Sequence, residues 1–430
     1  MRLQLDCIDI KDIRFGAKTC IKDGVLHINK DEAEKFICED YRIAGCTLDI
    51  AYPGTGTRIV NVVDIAEPRC KVTPKGTDFP GWIGKIQTAG SGVTRALKGM
   101  TVVVTNPDNR RQYLAFMDMG GTMQRLSRIS VMPTVVITPK PAPEPSERDY
   151  EYSLQRALFR LCVYLAEAGE GHPISESKIY EHDFANLPEK SDLPRVAYHY
   201  QMYVPQYDYQ GIPEPIYYSS NVKNMLPTII HPNEVLDGGV VGYIPNKALN
   251  TWSLQNHGLI NSLYERHGKD LIFCGVIAGC AHNNPLERER RANLLARLAK
   301  DILRVDGIVM TKVHGGMAHM DLAANGEACE RLGIKTVVQV AGVVSTGTKA
   351  DNALFKSDLL DAVWYMGATI SRVKLEFDVD RVLGGTMESV IFSPYNDLLQ
   401  AKDKVLWGEE FSCSGIHDHS GGSHITGIDC

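Results

Sequence analysis

The chain has 430 residues, of which 44% are hydrophobic and 23% are charged, and its formal net charge is −6 at pH 7. This length is too great for one compact core and predicts two or three domains, and the weakly acidic balance excludes a general affinity for nucleic acid or for an anionic membrane face. No segment approaches the roughly 20 apolar residues that cross a bilayer, and the acidic start "MRLQLDCIDIKDIRFG" is unlike a signal peptide, so we expect a cytoplasmic protein.

A mixed β-rich domain is predicted for residues 1–137. The short β-branched runs "GVLHINK", "CTLDIAYPG", "TRIVNVVDI" and "MTVVVTNP" are bounded by Gly, Pro or Asn, as strands joined by turns are. In the next stretch, 138–149, four prolines stand at alternate positions in "TPKPAPEPSERD". Because proline fixes φ and removes a backbone donor, we predict a linker there rather than a helix or a central strand.

Residues 150–390 are predicted to form an α/β domain. "YSLQRALFRLCVYLAEAGEG" has the apolar spacing of an amphipathic helix, and "RVAYHYQMYVP" is strand-like. After residue 265 strands and helices alternate, in the order "DLIFCGVIAG" (strand), "PLERERRANLLARLAKDILRV" (helix), "GIVMTKV" (strand), "DLAANGEACERLG" (helix), "KTVVQVAGVV" (strand) and "NALFKSDLLDAV" (short helix). This alternation predicts a doubly wound, mainly parallel sheet, and so an α/β fold class in which the β-rich domain comes first. Residues 391–430 are predicted as a separate C-terminal segment that contains His and Cys.

The loops after the carboxyl ends of parallel strands are where such sheets hold their sites. Here those loops are Ala278–Asn284, Val313–Asp321 and Val343–Thr348. Cys280 begins the first loop beside His282, which makes its thiol a candidate catalyst; the alternative is a core or spectator cysteine. The 11 cysteines are an odd number and are scattered, so we expect reduced thiols and no disulfide framework. The sequence contains no GxGxxG, P-loop, GxSxG or HExxH motif, so dinucleotide binding is not indicated.

A series of segments resembles one protein family in order and spacing. The segments are "MRLQLDCIDIKDIRFGAKTCIKDGVLHINKDE", "DIAEPRCKV", "FPGWIGKI", "ALKGMTVVV", "LAEAGEG", "DLPRVAY", "LPTIIHPNEVLDGGVV", "INSLYERHGKDLIFCGVI", "GIKTVVQV" and "RVLGGTMESV". Together they resemble the proprotein subunit of component B of glycine, sarcosine and betaine reductases, from residue 1 to roughly residue 390. The D-proline reductase proprotein is a more distant relative.

The resemblance implies a particular covalent chemistry. Members of this family cut themselves before an internal Cys, which becomes a pyruvoyl group whose ketone condenses with the amine of the substrate. A selenocysteine or cysteine of a partner subunit then attacks the adjacent carbon and releases the amine. The resemblance therefore implies an oxidoreductase subunit that acts on a small molecule and assembles into a hetero- or homo-oligomer with such a partner.

The first departure from the family pattern lies in "PNKALNTWS". The resemblance places the self-cleaving Cys shortly after "HPNEVLDGGVV", but Leu249 stands there, and leucine has no nucleophilic atom to start an acyl shift. We therefore expect no pyruvoyl group by this route. Thr251 or Ser253 could perform the shift instead, with polar loop residues as the alternative. Lys247 would capture carbonyls rather than amines.

The second departure is "MTKVHGGMAHMDLAANGEACE", where Val313 and His314 replace a Glu-Gly pair of the family. His314, His319 and Asp321 are predicted to cluster in a loop at the carboxyl end of a strand. Imidazole and carboxylate groups suit Zn²⁺ or a similar divalent metal. The three residues are therefore candidate metal ligands, and the two histidines are candidate catalytic residues; the alternative is that one histidine caps the next helix and the others face water.

The third departure is the C-terminal "CSGIHDHSGGSHITGIDC", because the family has a glycine-rich end without this His/Cys set. Its glycines permit tight turns that could fold thiolate and imidazole groups round one Zn²⁺ or softer ion. A His-rich end can also be disordered, and no CxxC knuckle is present. The candidate ligands are Cys413, His417, His419, His424 and Cys430.

These observations leave three functional hypotheses. In the first, the chain is a subunit of a reductase-like complex that cleaves a small nitrogen- or sulfur-containing substrate with the help of a thiol or selenol, without a self-generated pyruvoyl group. In the second, it is a metal-dependent enzyme in which a Lewis acid held by the His/Asp/Cys set polarises the substrate. In the third, it is a non-catalytic scaffold for a partner subunit.

Overall fold

The structure is a computed structural model, and it describes residues 1–107, 115–143, 145–188, 192–202, 216–242, 249–282, 284–312, 318–342, 355–368, 372–375, 379–386, 406–409 and 413–421. Its strands are β1 (Arg2–Asp9), β2 (Asp12–Phe15), β3 (Cys20–Lys22), β4 (Val25–Ile28), β5 (Ile43–Ala51), β6 (Thr57–Ile59), β7 (Val62–Ala66), β8 (Arg69–Thr73), β9 (Gly92–Lys98), β10 (Thr101–Thr105), β11 (Met117–Asp118), β12 (Thr134–Pro141), β13 (Glu176–Glu181), β14 (Arg195–Met202), β15 (Ile216–Tyr217), β16 (Ser220–Asn221), β17 (Thr228–Ile230), β18 (Ile272–Cys280), β19 (Gly307–Lys312), β20 (Lys335–Gly342), β21 (Val363–Ala368), β22 (Arg372–Leu375), β23 (Arg381–Leu383) and β24 (Leu406–Glu409). Its helices are α1 (Lys30–Ile37), α2 (Gly121–Leu126), α3 (Glu147–Glu167), α4 (Pro232–Leu236), α5 (Thr251–Gln255), α6 (Gly258–Arg266), α7 (Pro285–Arg297) and α8 (Ala318–Arg331), with a 3₁₀ turn at Phe184–Asn186 and a π-helical turn at Leu298–Ile302.

Two four-stranded sheets pack round helix α3 in the N-terminal part of the chain. Their orders are β13–β1–β9–β8 and β5–β12–β10–β7. Ser146 caps α3, because its hydroxyl accepts a hydrogen bond from the backbone N–H of Asp149. The apolar side of the helix, including Leu154, Leu158 and Phe159, is buried in one core with these strands. The predicted amphipathic helix thus shares a core with the strands that precede it.

The stretch 138–149 is not the irregular linker that its prolines predict. β12 continues to Pro141, and α3 begins at Glu147. β12 pairs with β10 only as far as Ile137, so beyond that point only β5 borders it. A proline costs no ladder hydrogen bond on the open side of such a strand, which explains why Pro139 and Pro141 are tolerated there.

A six-stranded sheet forms the second layered unit, in the order β17–β18–β14–β19–β20–β21. Neighbouring strands are parallel except for the edge strand β17, which is antiparallel to β18. Helices α7 and α8 cover one face, and α4, α5 and α6 cover the other, each over its own apolar core. The predicted α/β fold class, with strands and helices alternating after residue 265, is confirmed.

The short helix predicted in "NALFKSDLLDAV" is wrong for the described residues of that run. Residues 355–362 contain a bend and no helix. The hydroxyl of Ser357 accepts hydrogen bonds from the backbone N–H groups of Leu359 and Leu360, as at a helix start, but β21 begins at Val363 and leaves no length for a helix. Phe355 and Leu360 are buried in the core beneath α7 and α8 and anchor this bend.

Late segments of the chain return to its N-terminal part. β23 pairs with β6 in the three-stranded sheet β11–β6–β23, and Cys413 bridges to Phe116. In the described part of the chain, the helices are too short or too polar to span a membrane.

Candidate functional site

Buried polar residues gather at the carboxyl edge of the six-stranded sheet. β14 lies between β18 and β19, which follow it in the chain on opposite sides, so the crevice above β14 is a switch point of the kind where α/β sheets bind ligands. These three strands end at Met202, Cys280 and Lys312. The register pairs Gln201 with Gly279 on one side and with Lys312 on the other.

His199 of β14 connects the sheet to α8 and is 1% exposed. Its Nδ1 donates to the carbonyl oxygen of Ile277 at 2.9 Å, and its Nε2 accepts from Nδ2 of Asn325 at 3.1 Å. Burial lowers the pKa of His199 to about 4, so the imidazole is neutral at pH 7, with its proton on Nδ1. The contact with Asn325 fixes α8 over β14.

Gln201 and Lys312 lie on this same face, since side chains alternate along a strand. Met310, two residues before Lys312, belongs to the core under α7 and α8. Gln201 is 1% exposed and Lys312 is 2% exposed. Burial lowers the pKa of Lys312 to about 7. Two adjacent strands thus present an amide and an amine side by side beneath α8.

His319 and Asp321 lie in the first turn of α8, not in the predicted loop. Both are buried. Asp321 accepts from the backbone N–H of His282 at 2.9 Å and from Nε of Arg288 at 3.3 Å, and burial raises its pKa to about 6. The predicted partner His314 lies outside the described residues. The catalytic roles of His314 and His319 stay predictions.

Cys280 belongs to the opposite face of the sheet, under α4 to α6. Its thiol donates to the carbonyl oxygen of Val222 at 3.2 Å, and burial raises its pKa to about 12. The thiol is therefore protonated at pH 7. On the same face Tyr198 Oη lies 3.1 Å from Nε2 of His257 and 2.6 Å from Oγ1 of Thr311, a buried chain of polar groups.

Residues 413–421 pack over this second face, so the C-terminal segment is ordered structure here and not a frayed end. Nδ1 of His419 lies 2.7 Å from the carbonyl oxygen of Lys312, and the carbonyl oxygen of Ser420 accepts from the backbone N–H of Leu259 in α6. Arg128 forms an ion pair with Asp418 at 2.7 Å. The segment therefore joins the N-terminal part of the chain to the edge of the parallel sheet.

Neither of the two predicted zinc sites forms among the described candidates. No group of three or more His, Cys, Asp or Glu side chains within the ranges that the structure covers lies close enough to hold a metal ion. Each site has further candidate ligands outside the described residues, so the loop site and the C-terminal site both stay predictions. The described candidates are His319, Asp321, Cys413, His417 and His419; His314, His424 and Cys430 lie outside the described residues.

A buried aspartate fixes both sides of the segment where the resemblance places the self-cleaving Cys. Oδ2 of Asp64 accepts from the Thr251 hydroxyl at 2.6 Å, and Oδ1 accepts from the Thr251 backbone N–H at 2.8 Å. The Thr251 hydroxyl in turn accepts from the backbone N–H of Gly242 at 2.9 Å, and Gln155 bridges Asp64 to the Gly242 carbonyl oxygen. Burial raises the pKa of Asp64 to about 6, although these hydrogen bonds act to lower it. Leu249 is 3% exposed, in the core of the second face.

Sequence reasoning missed several of these groups. The signal for His199 and Gln201 was present, because polar residues inside the run "RVAYHYQMYVP" must find partners if the strand is buried on both faces. Lys312 closes the run "GIVMTK" in the same way. Asp64 gave no local signal, since its partners are remote in sequence.

Comparison with known proteins points to one family. The family model for glycine/sarcosine/betaine reductase component B subunits matches residues 1–406. The chain is 32% identical over 397 residues to the glycine reductase complex component B subunits alpha and beta of Acetoanaerobium sticklandii, covering 91% of this chain and 90% of the relative. It is 33% identical to the sarcosine reductase complex component B subunit alpha of Peptoclostridium acidaminophilum, with 79% of each covered. The betaine reductase complex component B subunit alpha of the same organism is 31% identical, with 78% and 77% covered.

No solved structure matches the chain. The family match extends over far more than half of the sequence, and several relatives exceed 30% identity over most of their length. The chain belongs to the family of glycine, sarcosine and betaine reductase component B subunits.

Proposed function

We propose that this chain is a subunit of a reductase complex that cleaves a carbon–nitrogen or carbon–sulfur bond in a small substrate, and that it works without a pyruvoyl group made from its own backbone. Its relatives are named as component B subunits of glycine, sarcosine and betaine reductase complexes. The observation that supports an uncleaved chain is Leu249, a buried apolar side chain at the position where the pyruvoyl-precursor Cys is expected. Thr251 nearby holds its hydroxyl in hydrogen bonds to Asp64 and Gly242.

The chemistry that remains is displacement by a partner subunit. A thiolate or selenolate of that partner forms a bond to the substrate carbon while the carbon–nitrogen bond breaks, and the amine leaves with the electron pair. A ketone cannot condense with a nitrogen that carries no hydrogen. A chain that lacks the ketone therefore suits a substrate of the betaine type, whose trimethylammonium group is already positively charged and leaves as a neutral amine.

Intact-mass measurement of the purified chain tests the uncleaved form. We expect one species near 47.6 kDa, with no mass increase after a carbonyl reagent such as phenylhydrazine, because no ketone is present. The variants T251V and S253A should give the same single species. Two fragments, the second capped by a keto-acyl group, would contradict this part of the proposal.

Reconstitution tests the activity. The chain would be mixed with a thiol- or selenol-containing component B partner and a dithiol reductant, and release of glycine, sarcosine or betaine nitrogen as ammonia, methylamine or trimethylamine would be followed. We expect trimethylamine to appear fastest. A stable complex that releases no amine from any of the three would mean that the chain is a scaffold.

A further inference from the structure

A buried amide without a hydrogen-bond partner lies at the carboxyl edge of the sheet. Gln201 is 1% exposed, and within the described part of the chain neither its Oε1 nor its Nε2 has a partner. An unpaired buried polar group costs about 1–3 kcal/mol. Native proteins nearly always pair such groups with other protein atoms, water or a ligand. The amide of Gln201 is therefore available to a partner that the described residues do not supply.

The register neighbours of Gln201 are an amine on one side and a position without a side chain on the other. On β19 the register neighbour is Lys312, which points to the same face and is 2% exposed. On β18 the register neighbour is Gly279, which has no side chain. The amide is thus flanked by an amine on one side and by a position without a side chain on the other.

The contact of α8 with His199 places the first turn of α8 on the side of the sheet edge where this pair lies. Asn325 of α8 contacts His199, and Gln201 is two residues farther along β14, while Asp321 is about one turn nearer the start of α8. Unpaired N–H groups and the helix dipole favour a negative charge at a helix start. Asp321 lies in this turn, and its carboxylate accepts from Arg288 and from the backbone N–H of His282, so its charge is compensated by Arg288.

We propose that Gln201, Lys312 and the first turn of α8 bind the carboxylate of the small substrate. The ammonium of Lys312 would pair with the carboxylate, and Nε2 of Gln201 would donate a second hydrogen bond to it. The choice of ligand rests on the proposed function: glycine, sarcosine and betaine share a carboxymethyl group and differ only at nitrogen. One carboxylate site therefore serves all three, and specificity for the nitrogen is set by other groups.

Ligand titration of the purified chain tests the site, with acetate, betaine and choline as probes. Choline carries the trimethylammonium group but no carboxylate. We expect acetate and betaine to bind and choline not to bind. Q201M and K312M should each raise the Kd of betaine at least about tenfold, as the loss of a hydrogen bond to a charged group does.

Gln339 provides a matched control. It is 2% exposed and neither atom of its amide has a hydrogen-bond partner in the described ranges, but it alternates with Val338 and Val340 of the core under α8 and so points to the opposite face. Q339M should leave the Kd unchanged. Loss of binding in Q339M with normal binding in Q201M would overturn the proposal, because the site would then lie on the other face.

The binding test requires that the variants fold, and urea unfolding of Q201M checks this. Since its amide is unpaired, Q201M should unfold at the same or a higher urea concentration than the parent chain. If K312M does not fold, the Kd of betaine for Q201M alone tests the carboxylate site. Absence of betaine binding to the folded parent chain would mean that the amide holds only water, and would overturn the site.

Failure of the site and failure of the proposed function give different results. Carboxylate binding that Q201M and K312M remove, without amine release in the reconstituted complex, would leave the site standing and refute the activity. Amine release with the KM of betaine unchanged in both variants would support the activity and refute the carboxylate site.

Discussion

Thr251 makes two hydrogen bonds that an apolar residue of the same shape cannot replace. Its hydroxyl donates to Asp64 and accepts from the backbone N–H of Gly242. T251V would leave a buried carboxylate short of one donor and a buried N–H unpaired, so we expect the free energy of unfolding to fall by about 3 kcal/mol. Urea unfolding at pH 7, followed by circular dichroism, measures this.

Ser253, two residues later in α5, is the matched control. It is buried as well, at 3% exposed, but among the described residues only its backbone N–H makes a hydrogen bond, to Asn250. S253A should therefore change the free energy of unfolding by less than about 1 kcal/mol. Equal losses in T251V and S253A would show that the contact with Asp64 does not stabilise this segment.

At the level of residues, only the local part of the signal could be used. His319 and Asp321 were expected in a loop after β19 because "GIVMTKV" is a recognisable buried strand, but they lie in the first turn of α8. Their helical conformation and their separation from His417 and His419 depend on which face each element covers, which a local pattern does not contain.

At the level of elements, strand β6 joins distant parts of the chain through one buried ion pair. Arg58 is 0% exposed and pairs with Asp118 of β11 through two contacts of 2.6 and 2.8 Å. β6 also pairs with β23. R58M would leave Asp118 as an uncompensated buried carboxylate, so we expect a loss of about 4 kcal/mol in the free energy of unfolding.

The ion pair between Arg381 and Asp49 is the matched control. Arg381 lies on β23, in the same sheet as Arg58, but 45% of its side chain is exposed. R381M should cost about 1 kcal/mol or less, because solvent screens such pairs. Urea unfolding of both variants in parallel measures the contrast. A smaller loss in R58M than in R381M would contradict the role given to the buried pair.

The order of elements after residue 265 could be predicted because buried parallel strands are continuous apolar runs between helices. The course of 138–149 could not. Proline is a local signal, but whether β12 is bordered on one side or two depends on β5 and β10, which are remote in sequence. In the same way the run after Ser357 could not show that β21 begins at Val363 and leaves no length for a helix.

For the whole molecule, buried neutral histidines predict acid sensitivity. Burial lowers the pKa of His182, His199 and His417 to about 4 and that of His257 to about 3. The unfolded chain binds these protons from about pH 6.5 downward, and the folded chain does not, so stability is lost as the pH falls from 6.5 toward 4.

Four buried carboxyls oppose this trend. Burial raises the pKa of Asp64 and Asp321 to about 6 and that of Asp78 and Asp418 above its ordinary value, so the folded chain binds their protons first and gains stability as the pH falls from 6 to 4. The histidines with lowered pKa outnumber these carboxyls in the described part of the chain, and we expect a net loss of stability between pH 7 and pH 4.5. Urea unfolding across this range measures it, and H417Q should flatten the dependence. Stability that stays constant or rises down to pH 5 would contradict the assignment.

The position of residues 413–421 has a consequence for how the molecule holds together. These residues contact Arg128 in the N-terminal part of the chain and the backbone of Lys312 at the sheet edge, but they lie on the face opposite to α8. Cutting the chain before Cys413 should therefore loosen the N-terminal part from the parallel sheet while Gln201 stays covered by α8.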